Sequence, residues 1–291
     1  MKKHAYLIMA HTDIEVYKLL IKLIDDDRND IFVHIDKKSN PLPFKNVIAK
    51  KSKIFFLKSR DVRWGHSSLI KLELDLFEMA SKNDSYSYYH LLSGVCLPIK
   101  SQDYIHNFFD SQNNKEFISF QKVQPIEQIR ERTLYYHFFT RYFRSQNSFV
   151  RCLSMKLHHL FFYILKKMNI QKKTNFILYK GDEWCSITDD FVRLLTTKKK
   201  QIVRFFSNSF CCDEIYKQTI IMNSTFKDCI YKNDNGNTDS LREIDWKRGN
   251  PYVWKDDDID YLKESNKLFA RKFSSNDENL LKQVETLCKI T

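Results

Sequence analysis

Residues 5–10 form an unbroken apolar run, the pattern of a strand buried on both faces, and apolar positions then recur at helical spacing from 14 to 24. Runs at 31–35, 54–57 and 88–92 predict three more strands. Leu69, Leu72, Leu76 and Met79 recur at helical intervals behind Ser67 and Ser68, both suited to capping a helix. Strand and helix alternate, and the strands are apolar throughout rather than at every second position. This predicts a mainly parallel α/β sheet covered on both faces, with ligands bound beyond the carboxyl ends of its strands.

From 125 to 172 the texture changes to basic, aromatic sequence of helical character, including RTLYYHFFTRYFRS and KLHHLFFYILKK. The alternating regime then returns with strands expected at ILYK (177–180) and WCSIT (184–188). A helix is expected from about 189 and another around Glu214, followed by LREIDW and LFARKF. With no internal repeat or flexible linker, 291 residues fit a single domain with a helical insertion.

Composition narrows the partner. Lys plus Arg (48) exceeds Asp plus Glu (36), a net charge of +12 that favours an anionic partner: a nucleotide diphosphate, nucleic acid or a membrane surface. The 23 Phe and 15 Tyr suit packed sheets and surfaces that stack on sugars or bases. Seven scattered cysteines without a CxxC pair read as reduced thiols, and so as a cytoplasmic setting. The first apolar run is too short for a secretory signal or a membrane span. Only five glycines occur, so neither a Walker loop nor a GxGxxG cradle for phosphates is present. Gly65, Gly94 and Gly181 stand singly, each read as a sharp turn after a strand.

Eight segments, in order, resemble the core-2/I-branching β-1,6-N-acetylglucosaminyltransferases and the related peptide xylosyltransferases. They are AYLIMAH (5–11), HIDKKS (34–39), VRWGHSSL (62–69), YYHLLSGVCLPIKS (88–101), KGDEWCSIT (180–188), CCDEIYKQTIIMNS (211–224), LREIDW (241–246) and LFARKF (268–273). The resemblance implies a GT-A-type fold with a Rossmann-like nucleotide-binding half over about 1–124. It implies an acceptor and catalytic half over about 173–291, an inverting mechanism and a UDP-sugar donor. The animal enzymes' stem, membrane anchor and disulfides have no counterpart, as in a bacterial-type member.

The residues can also be read for themselves. Asp36 ends an apolar strand; alone it reads first as a turn or cap aspartate, whereas the resemblance implies a contact to uracil. His34, inside the strand, reads as packed. Ala10 and His11, with Arg63, Trp64 and Ser67, fall on the nucleotide side, and Ser93 and Gly94 on the sugar side. Glu183 and Trp184 suit a sugar pocket, a carboxylate accepting from hydroxyls and a ring face packing on a pyranose, although Trp184 reads equally as core. The resemblance implies that Glu214 is the general base that removes the acceptor's proton. Asp213 and Glu214 could instead complement the dipole of a helix expected over 213–222. Cys211 and Cys212 read as a buried pair.

Negative charge growing on the departing diphosphate needs a divalent metal or fixed cations. The central YYHLLSGVCLPIK carries no acid, and the acids at 256–258 suit a helix start. The expectation is therefore no metal and no other cofactor. The resemblance assigns the cationic role to Arg242 and Lys272, with Arg271 as a lesser substitute.

The leading expectation is an enzyme moving a sugar, GlcNAc first, from a UDP donor to a hydroxyl of a glycan or lipid-linked glycan in bacterial surface polysaccharide or glycolipid synthesis. UDP-xylose, UDP-glucose or UDP-galactose would serve within the same fold. The charge of +12 also raises a nucleic-acid-binding module, which lacks any recognised motif here. KLHHLFFYILKK could form a basic amphipathic helix lying on the inner face of the cell membrane.

Overall fold

A computed structural model describes residues 2–112 and 114–290. Its main sheet has the order β3-β2-β1-β4-β7-β6, built from β1 (His4–Ala10), β2 (Asn29–Ile35), β3 (Lys53–Leu57), β4 (Tyr88–Ser93), β6 (Phe117–Phe120) and β7 (Gly181–Thr188). The first four are parallel; β7 runs antiparallel to both β4 and β6. A small sheet joins β5 (Leu97–Pro98), β9 (Phe269–Arg271) and β8 (Arg242–Ile244). The expected mainly parallel α/β fold is therefore present.

Because successive side chains leave a strand on opposite sides, the unbroken apolar run of β1 serves two cores. Tyr6, Ile8 and Ala10 enter one; Ala5, Leu7 and Met9 enter the other. The first core lies against α1 (Ile14–Ile24), whose Val16, Tyr17, Leu20, Ile21 and Ile24 are buried, against α2 (Pro41–Lys45) and α4 (Gln102–Ser111) through Phe44, Ile105 and Phe109, and against the small sheet through Phe269 and Ala270. Asp13 caps α1 through Val16 N at 3.3 Å and holds Ser275 N at 2.8 Å. The second core takes α3 (Ser68–Asn83), α7 (Asp189–Thr197), α8 (Lys199–Phe206) and α9 (Tyr216–Met222). Each fully buried Leu, Ile or Phe contributes about 1.5–3 kcal/mol, so both faces hold the strand ends firmly.

Three expectations fail locally. ILYK is not a strand: its backbone is satisfied by side chains, Ile177 N donating to Asn223 Oδ1 (3.2 Å), Tyr179 N to Thr219 Oγ1 (3.2 Å) and Lys180 N to Gln124 Oε1 (2.7 Å). Gly181 opens β7 rather than following a strand, and a Cβ there would lie 1.8 Å from the Ser119 carbonyl oxygen. Residues 132–145 are not one helix. After α5 (Ile126–Leu134) the chain turns extended at Tyr135 and left-handed at Phe139, passes a 3-10 turn at Thr140–Tyr142, and resumes as α6 (Ser148–Lys167).

Candidate active site

Beyond the carboxyl ends of β1 and β2 lies a cationic cluster. Asp36, 7% exposed, accepts from Lys38 N (2.8 Å), Lys38 Nζ (2.7 Å) and Val62 N (3.3 Å). Three donors on two oxygens leave acceptor capacity for one more. Lys38 also pairs with Asp61, which meets Arg63 at 2.8 Å and Arg141 at 3.0 Å. His34 is packed as expected, its Nε2 accepting from Arg60 N at 3.0 Å, and burial pushes its pKa down to about 4. The pKa of His11 is lowered by burial, with Asp36 opposing and Lys272, Lys38 and Arg271 assisting. These five groups therefore share one electrostatic neighbourhood. Gly94 donates its N–H to the Met9 carbonyl and packs on Ala10, while Ser93 Oγ meets Cys96 Sγ at 3.1 Å.

The acidic cluster is built from β7 and the turn before α9. The expected helix over 213–222 is divided: Cys212–Glu214 form a 3-10 turn behind a left-handed Cys211, and α9 begins at Tyr216. Two neighbouring acids thus receive opposite environments. Glu214, its side chain 35% exposed, pairs through Oε2 with Arg132 (3.2 Å) and Lys180 (3.3 Å), and its Oε1 has no partner among the described residues. Asp213 is buried, and desolvation, with Glu214 and Glu73 adding to it, pushes its pKa up to about 7. The pKa of Glu183 is raised well above the usual carboxylate range by burial, then by Asp213 and Glu73, against Arg271 and Lys217. Asp182 is raised by burial, with Glu214 adding to it. Beneath them Lys217 and Glu73 form a fully buried ion pair, and Tyr216 Oη donates to the same Glu73 oxygen at 2.7 Å. Lys217 Nζ also reaches the Asp213 carbonyl at 3.3 Å, tying the acidic turn to α3.

Two bridges join the clusters. Arg271 lies with its guanidinium 4.4 Å above the ring of Trp184, which is buried, so the small sheet's cation reaches the strand that carries Glu183. Gly65 carries the second: its carbonyl accepts from Cys211 N at 2.9 Å. At φ 70° a Cβ on Gly65 would meet Phe210 at 2.6 Å, so only glycine fits. Next to it Trp64, half exposed, takes Phe210 edge-on at 5.6 Å and Arg144 over its ring at 4.2 Å.

Arg242 lies deeper than the other expected cations. It is 6% exposed and its guanidinium donates to Ser186 Oγ (2.7 Å), the Cys185 carbonyl (2.6 Å), the Leu91 carbonyl (3.3 Å) and the Ser240 carbonyl. Burial lowers its pKa to about 10. These bonds tie β8 to β4 and β7 and place its charge beneath the site. Lys272, by contrast, makes no ion pair among the described residues, and only its backbone is bonded, to Tyr252 and Trp254. Sequence reasoning missed Arg132, Lys180 and the Lys217–Glu73 pair as partners of the acids.

Two grooves flank this arrangement, of about 620 Å³ beside Glu243, Trp246, Arg248 and Tyr261, and about 800 Å³ beside Arg130, Lys172, Phe176 and Tyr179. Neither is lined by Glu214, Glu183 or Lys272. Among the described residues no three His, Cys, Asp or Glu side chains gather so as to hold a metal ion.

The site thus defines a mixed α/β protein with fixed cations and a partly exposed carboxylate beyond its strand ends. The sequence profile described as Branch: Core-2/I-Branching enzyme matches residues 4–263, and the chain belongs to that family, a family of glycosyltransferases. No curated protein matches the chain. Among solved structures it is similar to HddC from Yersinia pseudotuberculosis (16% identity, TM-score 0.26), covering 41% of this chain and 59% of that one. It is also similar to a Bacillus anthracis protein described as a glucose-1-phosphate thymidylyltransferase, crystallised with sucrose (13% identity, TM-score 0.28, 46% of this chain and 60% of that one). Both likenesses are partial, the chain spanning about three-fifths of each.

Proposed function

We propose that the protein transfers a sugar, GlcNAc foremost, from a UDP donor to a hydroxyl of a glycan or lipid-linked glycan, with inversion and without a metal ion. The family match carries the transferase class; the separation of cations from acids supports the division of labour. Asp36 accepts from the uracil, Arg63 and Trp64 flank the nucleotide, and Ala10, His11, Ser93 and Gly94 form the floor. Glu183 and Trp184 border the sugar. Glu214 Oε1 takes the acceptor's proton as its oxygen attacks the anomeric carbon. The bond to the diphosphate breaks on the opposite face, and its electrons pass to a β-phosphate oxygen stabilised by Lys272 and Arg271. Arg132 and Lys180 orient Glu214 from its other oxygen.

The test is a panel of UDP-sugars scored by protection against thermal unfolding, followed by turnover of the best donor in excess EDTA. A ligand at 100 times its Kd stabilises by about 2.7 kcal/mol, so UDP-GlcNAc should raise Tm by several degrees and turnover should survive chelation. Protection by no UDP-sugar contradicts the donor class. Activity lost to EDTA and restored by manganese contradicts the fixed-cation reading.

A further inference from the structure

Helix α6 is notable for how little of itself it buries. Of its 20 residues only Ser154 and His158 are buried. It lies in an acid-free stretch: residues 132–181 carry four Arg and six Lys and no Asp or Glu, in a chain whose whole net charge is +12. Phe149, Leu153, Lys156, Leu160, Tyr163 and Lys167 recur at intervals of four and three, which sets them along one side of the helix. Phe149, Leu160 and Tyr163 are 73, 54 and 65% exposed, far more than a helix seated on a core would leave in water. Lys156 and Lys167 are exposed and form no ion pair among the described residues.

We propose that this side of α6 docks on an anionic lipid bilayer, lying in the headgroup plane with its apolar side chains against the acyl boundary. The mixture decides the occupant. A nucleic acid would satisfy the lysines and leave Phe149, Leu153 and Leu160 wet. A second copy of α6 would satisfy the apolar residues but set lysines among lysines with no acid to receive them. A bilayer carrying anionic lipid satisfies both. Among the described residues no helix is long and apolar enough to cross a membrane, so the contact is along the surface.

The insertion also fixes this surface relative to the candidate active site. Its buried side stacks His158 on His137 at 5.2 Å, and His137 on Phe210 at 5.7 Å. Arg144 covers Trp64 and Arg141 pairs with Asp61. A docked bilayer would thus lie beside the nucleotide rim. Docking needs no donor and no turnover, so its test is separate from that of the transfer reading.

The experiment is co-sedimentation of the full chain with vesicles of phosphatidylcholine alone and of an equimolar mixture with phosphatidylglycerol, at low and high salt. Strong binding is expected only to the mixed vesicles, weakening with salt. Lys156→Glu/Lys167→Glu should lower partitioning by roughly tenfold or more. Leu160→Ser/Tyr163→Ser should lower it comparably while leaving the thermal melt near wild type. Equal binding to both vesicle types, no binding to the mixed vesicles, or wild-type binding by the charge-reversed chain would overturn the proposal. So would a concentration-dependent dimer that Leu160→Ser/Tyr163→Ser dissolves while vesicle binding is unchanged.

Discussion

The cationic and acidic sides of the candidate site are built by different means. The cationic side is made of short excursions past strand ends: His11 follows β1, Asp36 follows β2 and Lys272 follows β9. Its ion pairs are partly exposed, most of them close in sequence, such as Lys38 with Asp36 and Arg63 with Asp61, and one, Arg141 with Asp61, spanning 80 positions. The acidic side is assembled from afar. Arg132 meets Glu214 across 82 positions and Glu73 meets Lys217 across 144, the latter pair fully buried. Exposed pairs contribute little to stability, while breaking a buried pair leaves an uncompensated charge. The cationic side can therefore rearrange around the proposed nucleotide at small cost, whereas the turn that carries Glu214 is anchored by the buried pair beneath it. That is what a group acting on a developing transition state needs.

Perturbing each side in turn should separate these roles. The largest effect belongs to Glu214→Gln, which keeps shape and removes the proton acceptor; turnover should fall by ~10²- to 10⁴-fold, read from the release of UDP. Next is Lys217→Met, which strands Glu73 in the core. It should cost about 3–5 kcal/mol by denaturant melt, whereas Lys38→Met on the cationic side should cost less than about 1 kcal/mol. An equal loss at both sites would erase the contrast. Lys272→Ala removes a charge-assisted contact worth about 1.5–3 kcal/mol, and should weaken UDP by ~10- to 100-fold in titration calorimetry with little change in Tm. If UDP affinity stays at the wild-type value, the diphosphate lies elsewhere.

The remaining effect concerns pH. Burial, with Glu214 and Glu73 adding to it, pushes the Asp213 carboxyl up to about 7 in the folded chain, above about 3.8 when exposed. The folded state therefore binds the extra proton between these values. The stabilisation this provides is whole below the unfolded pKa and is lost as pH rises through 7. Asp213→Asn, which cannot ionise, should accordingly melt higher relative to wild type at pH 8 than at pH 5. A difference in Tm that does not change with pH would show that Asp213 is not desolvated.

Much of the sheet was legible because its signals are local. The runs at 5–10, 31–35, 54–57 and 88–92 coincide with strands, and 14–24 with α1, since a doubly covered parallel strand must be apolar at every position. ILYK carried the same apolar signal, yet its backbone partners are the side chains of Gln124, Thr219 and Asn223, which no local pattern announces. LREIDW marked Arg242 as a cation, but its burial among the carbonyls of Leu91, Cys185 and Ser240 depends on β4 and β7, which a local motif does not announce. Lys180 stood beside the acids in KGDEW and could have been read as their partner. Arg132, inside the basic insertion, had no such marker.

In the proposed transfer, chemistry and nucleotide binding fall to different groups. The most direct measurement is calorimetric titration of UDP into Glu214→Gln, set beside the loss of turnover in the same variant. Because Glu214 is tied to Arg132 and Lys180 and not to the cluster around His11, UDP should bind with near wild-type affinity to a chain that barely transfers sugar. Loss of UDP affinity in parallel with turnover would contradict the assignment, and so would wild-type turnover.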